Sequence, residues 1–340
     1  MKILQIVNPV VPFPPETVGG TERVVQGLID ELMKQGHEVT LMGHNESKVP
    51  DGVKLVGIGT YLDREKTLTT IWKHLLFNKY DVIHNHGRLL YVLPQIWSST
   101  RKVHTFHMAD LATKAFHRFL SFKARNFTFA PCARWIQRKH EHLGGNWSFV
   151  NNGIAKELYL YNPEFNDTNG ALVIICRMSP GKGITDAIEI ARATDKKLII
   201  AGRIGDYPHE QEWFAEHIAK NCDGTQIKFV GPVNDRQKQE ILEKAAGLLM
   251  LSTDSEAFNL TMIEANACGC PVISYNRYFP PDFIKNGING FIGDTQNDLI
   301  AAVNKLNTID RTKCRQDFEE NYTSKIMTDN YLRLYNSKVN

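Results

Sequence analysis

One stretch, 247–275, restricts the fold more than any other. An apolar run, Gly247-Leu248-Leu249-Met250-Leu251-Ser252, leads through a polar loop into a short apolar-rich segment, then Gly269 and a second apolar run from Cys270 to Tyr275. Two short, uninterrupted apolar runs read as parallel strands buried on both faces. Asn259 stands where a helix N-cap belongs and Gly269 where a helix stops, so a helix is expected over 260–268 between them. A crossover of this kind needs helices covering a parallel sheet, which makes the chain α/β.

The same stretch carries chemistry. Glu256 falls in the strand-to-helix loop and Glu264 eight positions later, inside the helix. At ~1.5 Å per helical residue and ~3.3 Å per extended one, the two carboxylates stand on the order of 10 Å apart or more. That is too far to share a proton or a metal ion. It suits two separated hydroxyl-bearing parts of a long ligand, with the amides of the helix N-terminus facing an anion between them. A nucleotide sugar has that layout. Two unrelated surface glutamates would read the same way, so the pair alone does not decide.

The rest of the chain repeats the alternation. Strands are expected over 2–7, 36–42, 53–58, 81–84, 102–106 and 126–130, with helices near 21–35, 68–77 and 133–142. A composition shift at 155–170, rich in Tyr, Asn, Pro and Gly, reads as a linker. A second series follows, with strands over 171–176, 197–201, 227–230, 247–252 and 270–275. Helices lie between these strands and again over 298–306, and the tail from 314 to about 335 reads as helical and amphipathic. Two parallel sheets, hence two Rossmann-like domains, are expected within 340 residues. After the first strand, Pro9, Pro12, Pro14 and Pro15 stiffen a loop that ends in Gly19-Gly20. Thr21 can cap the next helix, and two glycines before it allow backbone to approach a phosphate; a purely structural turn is the other reading. No GxGxxG and no acidic end to the second strand point to a dinucleotide.

Composition excludes several classes. No apolar run approaches the ~18 residues of a membrane span, and the opening run ends at Asn8-Pro9, so it reads as a core strand in a cytoplasmic protein. Six cysteines at 132, 176, 222, 268, 270 and 314 show no CxxC pair, so neither disulfides nor zinc are expected. His84, His86, His104 and His107 cluster near two strand ends without acidic partners, and His107 is taken to line the site. Charge is uneven: residues 1–155 hold 19 Lys and Arg against 12 Asp and Glu, while 156–340 hold 21 against 25. Within 101–142 there are nine basic residues and two acidic ones, Asp110 and Glu141. That segment is either a solvated helical face or a contact for an anionic acceptor or membrane surface.

Arg177 and Lys182 fall just past a strand end on a Gly/Pro loop. Two fixed cations there stabilise the charge that develops on a departing diphosphate more than they stabilise its ground state. The order Gly-Gly turn, Arg-x4-Lys, Glu-x7-Glu recurs at strand-to-loop junctions. No Asp-x-Asp, the usual metal–diphosphate motif, occurs anywhere.

On these residues, with Asp81-Val82-Ile83-His84-Asn85-His86, His104-Thr105-Phe106-His107, Asn151-Asn152-Gly153-Ile154, Ala201-Gly202 and Phe229-Val230-Gly231, the chain resembles the retaining glycosyltransferases of family 4 over nearly its whole length. The resemblance implies a GT-B fold, two Rossmann-like domains facing a cleft. It divides the chain into an acceptor-binding domain over 1–155, a nucleotide-sugar domain over 156–318 and a helix over 319–340 crossing back to the first. Arg177 and Lys182 would then hold the diphosphate, Glu264 the ribose and Glu256 the transferred sugar. Backbone at Phe258, Asn259, Leu260 and Thr261 would hold sugar or phosphate. Gly19 and Gly20 would approach the phosphates, His107 the sugar, and backbone around Gly231 and Val233 the base, with Gly202 and Arg203 also binding substrate. No cofactor or metal is implied beyond a UDP- or GDP-sugar co-substrate. The implied acceptor is a glycan, a lipid-linked precursor or another cell-envelope or secondary-metabolite hydroxyl, with no nucleic acid. A peripheral contact of 101–142 with the inner face of the cell membrane accompanies that reading.

The chain departs from the family pattern twice. Ala257-Phe258-Asn259 stands where Gly-Phe-Gly is usual, and 277–282 replaces a Gly-Gly-x-Pro-Glu run. Both touch the sugar pocket. A nucleotide-sugar epimerase and a non-catalytic sugar- or lipid-binding protein stay as alternatives, the first recognised by donor turnover without acceptor.

Overall fold

In the computed structural model, residues 1–15, 19–60, 62–110, 114–163 and 170–337 are described. The chain divides into two compact units, Met1–Ile154 with Ser324–Asn340, and Ala155–Thr323.

The first unit is built on a parallel sheet of β1 (Lys2–Ile6), β2 (Glu38–Gly43), β3 (Lys54–Gly57), β4 (Val82–Asn85), β5 (Arg101–Phe106), β6 (Phe127–Pro131) and β7 (Asn146–Trp147), ordered β3-β2-β1-β4-β5-β6-β7. The second holds β8 (Leu172–Ile175), β9 (Leu198–Ala201), β10 (Ile227–Gly231), β11 (Gly247–Met250), β12 (Val272–Tyr275) and β13 (Gly290–Gly293), ordered β10-β9-β8-β11-β12-β13. The short strands β7 and β13 and the helix Lys114–Lys123 are additions to the sequence reading. Each lacks the long apolar run by which the other strands show themselves.

Apolar strand residues account for the sheets. Ile174, Ile200, Leu249 and Ile273 pack with Ile184, Ile188, Leu299 and Val303 of the covering helices in the second unit. Leu4, Ile6, Ile83 and Phe129 pack with Ile71, Leu75 and Leu120 in the first. Each fully buried aliphatic or aromatic side chain contributes about 1.5–3 kcal/mol. Both sheets reverse their strand order once, between β1 and β4 and between β8 and β11. In open parallel sheets the crevice at the carboxyl ends of those two strands is where ligands gather. That selects four loops.

Three expectations need correction. The tail is not one helix but two, Arg311–Asn321 and Ser324–Asn336. The break falls where Tyr322 turns into an aromatic cluster with Phe283 (ring centroids 5.1 Å apart). The second helix lies on the helix Gly20–Lys34 of the first unit, where Gly27 has room for Ser324: a Cβ at 27 would stand 2.5 Å from its Oγ. Residues 155–163 are not a free tether either. Tyr159 is 2% exposed, the Leu160 amide donates to Gln239 Oε1 at 2.9 Å, and Tyr161 hydrogen-bonds Thr312 at 2.9 Å. Residues 164–169 of that segment lie outside the described residues. Nor does Thr21 cap the Gly20–Lys34 helix: Gly19, at φ +119, takes the N-cap position.

Candidate active site

In the second unit the switch-point loops follow β8 and β11, and they are laced together. The Gly181 carbonyl accepts from the Thr253 amide at 2.9 Å and from Ser252 Oγ at 3.1 Å. Gly183 has φ +70, and a Cβ there would lie 2.3 Å from the Leu251 carbonyl oxygen, so no other residue fits. This lacing brings Lys182 Nζ to 2.5 Å from Glu256 Oε1 and 3.4 Å from Asp254 Oδ2. Burial pulls the Lys182 ammonium down, but the hydrogen bond and charge of Glu256, with Asp254 beside it, outweigh that and leave it raised.

Arg177 lies earlier on the same loop, more than half exposed, with Nη1 3.8 Å from Glu210 Oε1. Glu210 is buried and also accepts from the Tyr207 amide through Oε2 at 3.4 Å. Only glycine fits at 202, where φ is +146 and a Cβ would stand 1.8 Å from the Cys176 carbonyl oxygen. Its amide donates to the Gly231 carbonyl at 2.8 Å, and the Met178 amide to the Arg203 carbonyl at 2.9 Å. The ends of β8, β9 and β10 thus form one rim carrying Arg177, Gly202, Arg203, Gly231 and the half-buried Val233. The Arg203 side chain pairs with Asp206 at the surface.

The helix after β11 is Leu260–Ala267, and Asn259 caps it through Oδ1, accepting from the Thr261 amide at 3.0 Å. The Thr261 N–H is therefore already taken, whereas the Leu260 amide makes no hydrogen bond among the described residues. Phe258 is held against Phe279 (4.2 Å between centroids), which packs on Phe283 and through it on Tyr322. The 277–282 segment, where the chain leaves the family pattern, is thus the support on which the 256–259 loop rests.

Glu264 is 1% exposed, with Oε1 2.7 Å from Lys238 Nζ, while Oε2 accepts no hydrogen bond. Lys238 also stands 3.3 Å from Asp235 and over the Tyr159 ring at 5.6 Å. Burial first, then the Glu264 carboxylate, push the Tyr159 phenol far up. Lys182 and Glu256 are therefore in contact, and Glu264 is bound separately by Lys238.

In the first unit, Gly19 and the exposed Gly20 end the loop after β1 and open the Gly20–Lys34 helix. His107 directly follows β5, half-buried, its Nε2 3.0 Å from His86 Nδ1. Burial draws the His107 imidazole down to about 4, so it is neutral. Both His84 nitrogens are engaged, by Tyr335 at 2.7 Å and Thr105 at 2.8 Å, and His104 Nδ1 meets Asn85 at 2.9 Å.

Sequence reasoning missed Lys238, Glu210, Gln5 and Tyr335. Lys238 and Glu210 sit on helices whose polar residues read as solvent-facing. Gln5 left one signal, a polar residue inside an apolar strand run.

Two parallel sheets of Rossmann type, with a cation–carboxylate pair at the switch point of the second, define a GT-B-fold protein. The fold is shared with solved structures. A sucrose-phosphate synthase from Thermosynechococcus elongatus matches with TM-score 0.81 and 17% identity over 98% of each chain. Anabaena HepE, solved with UDP and glucose, matches with TM-score 0.75 and 16% identity, again over 98% of each. Residues 159–325 match the family "Glycosyl transferases group 1" and residues 18–155 "Glycosyltransferase Family 4". The chain belongs to this family of glycosyltransferases, enzymes that use nucleotide sugars. A phosphatidyl-myo-inositol mannosyltransferase of Propionibacterium freudenreichii is 23% identical over 325 residues, 84% of this chain and 81% of that one. With a probable sucrose-phosphate synthase of Thermosipho melanesiensis the identity is 25%, over half of this chain and 42% of the relative.

Proposed function

We propose that the chain is a retaining glycosyltransferase that moves a sugar from a UDP- or GDP-sugar to an acceptor hydroxyl, with the donor on the second unit and the acceptor on the first. The Lys182–Glu256 pair at the β8/β11 switch point carries this reading. When the donor arrives, Lys182 turns from Glu256 to the diphosphate, and Glu256 is released to accept a sugar hydroxyl. Arg177 and the Leu260 amide take the remaining phosphate oxygens. The buried Oε2 of Glu264 is the acceptor left over for a ribose hydroxyl. The bond between the anomeric carbon and the phosphate oxygen breaks, and its electron pair leaves with the diphosphate. The acceptor hydroxyl attacks the same face, and its proton passes to the departing phosphate oxygen. Two cations and a helix N-terminus supply the charge compensation, and His107 lines the sugar. HepE, bound to UDP and glucose, favours uridine among the bases.

A thermal-shift series with UDP, GDP, ADP and TDP tests this. At 100 times its dissociation constant, the right diphosphate adds about 2.7 kcal/mol to the wild type. Arg177→Ala and Lys182→Ala are expected to lose the shift. If no diphosphate shifts the folded wild type, the donor-site reading falls. NMR of the product's anomeric proton then decides retention.

For the acceptor, we infer a membrane-borne substrate reached through 101–142. The structure narrows the patch: Arg101 and Lys102 are buried, Lys102 donating to the Thr100 and Ser98 carbonyls at 2.7 and 2.9 Å. Arg118, Lys123, Arg125, Arg134, Arg138 and Lys139 remain exposed, beside Phe119 and Phe122 (40% and 73% exposed) on the helix Lys114–Lys123. Exposed aromatics among cations suit an anionic lipid surface, at about 1 kcal/mol per basic residue. Flotation with phosphatidylglycerol vesicles is expected to recover the wild type but not the combined Arg118→Glu, Phe122→Ser and Lys123→Glu protein. Equal recovery of both, or of neither, sinks the idea.

A further inference from the structure

A chain of hydrogen bonds in the first unit starts at His107 and ends on the C-terminal helix. His107 Nε2 meets His86 Nδ1 at 3.0 Å, and His86 Nε2 meets Gln5 Oε1 at 2.9 Å. Gln5 Nε2 donates to the Tyr335 hydroxyl at 3.4 Å, which lies 2.7 Å from His84 Nδ1. His84 Nε2 meets Thr105 Oγ1 at 2.8 Å, and that hydroxyl meets Tyr331 at 2.9 Å. Gln5, His84 and Tyr331 are wholly buried, and His86 and Tyr335 nearly so. Burial holds His84 and His86 well below the ordinary histidine value, so each ring carries one N–H and one lone pair.

Such a chain has two self-consistent settings, and the Gln5 amide chooses between them. With Oε1 toward His86, Gln5 accepts there, so the His86 proton sits on Nε2. His86 Nδ1 is then a lone pair that takes the His107 Nε2–H. His107 Nδ1, which makes no hydrogen bond among the described residues, is left as an acceptor. With the amide turned over, every bond in the chain reverses and His107 Nδ1 carries the proton.

We propose that Gln5, His86 and Tyr335 are positioning residues that hold His107 as its Nε2–H tautomer, so that the Nδ1 lone pair accepts a hydroxyl of the transferred sugar. This rests on the reading of His107 as the residue beside that sugar. The relay selects a donor with a hydroxyl at that place, because a deoxygenated analogue leaves the lone pair unmet. The relay also reaches the Ser324–Asn336 helix of the first unit, whose Tyr335 meets Gln5.

The test is 15N NMR of the full-length protein labelled at histidine, the His107 signals being those lost in His107→Ala. The wild type is expected to show a bare Nδ1 and a protonated Nε2. Gln5→Met removes the acceptor for His86 and should average the two shifts. It should also lower kcat about tenfold, the equivalent of one hydrogen bond, with little change in donor KM. Tyr335→Phe, which deletes a single oxygen, moves both readouts in the same direction and carries the test if Gln5→Met melts poorly. A protonated Nδ1 in the wild type, or wild-type shifts in the folded variants, overturns the relay. If His107→Ala loses activity while Gln5→Met keeps it, the relay alone falls. If His107→Ala is fully active, the reading of His107 falls and the relay with it.

Discussion

Lys182→Ala is expected to lower kcat by about 10²–10³-fold, the usual loss when one preorganised charge partner of a developing anion is removed. The side chain is one-fifth exposed and lies between Glu256 and Asp254. Without it, two carboxylates face the diphosphate with no cation between them, so repulsion adds to the lost attraction. Its raised folded-state value keeps the ammonium charged at all ordinary pH: the pair's contribution is complete below the usual lysine value and lost only as pH rises through the folded one. Lys182→Arg is not expected to restore the rate. A planar guanidinium fork does not reproduce the compact ammonium that stands between Glu256 and Asp254. Steady-state kinetics with saturating acceptor decide the matter, and a kcat within threefold of wild type would show that Lys182 does not meet the leaving group.

Lys238→Met should destabilise the second unit by about 3–5 kcal/mol, the cost of leaving one member of a buried ion pair alone. At about 2–4 °C per kcal/mol for a unit of this size, its melting transition falls by about 10 °C. The reason is Glu264. Its carboxylate is almost sealed from solvent, one oxygen already lacks a donor, and Lys238 is the partner of the other. Losing Lys238 leaves the buried carboxylate without its cation. The companion Lys238→Met/Glu264→Gln should recover part of the loss, because a neutral amide replaces the stranded charge. Urea titration of both proteins tests this, and a loss below about 1 kcal/mol in the single variant would mean that water reaches Glu264. The prediction also touches function, since Glu264 is held in place through a lysine that no motif marks.

Several elements were legible before any coordinates. The apolar runs at 171–176, 197–201 and 247–252 read as buried parallel strands, and strands form within them at Leu172–Ile175, Leu198–Ala201 and Gly247–Met250. Asn259 announced a cap and caps its helix; Gly269 announced a stop and adopts φ +71 at the helix end. These are local effects, set by side-chain conformation and hydrogen bonding within a few residues of the chain. The nine basic residues of 101–142, by contrast, overstated the surface charge. Arg101 and Lys102 turn inward to hold the carbonyls of Leu334, Ser98 and Thr100.

Local patterning was enough for the α/β class, the family, and the loops that carry Arg177, Lys182, Glu256 and Glu264. Which of them meet depends on packing between distant segments. Lys182 finds Glu256 across 74 positions, Lys238 finds Glu264 across 26, and Gln5 finds Tyr335 across 330. Periodicity states which face of an element is buried, but not which element covers it. Strand order places β8 beside β11, the lacing at Gly181 and Gly183 closes the gap between their loops, and only then do a lysine and a glutamate become one site.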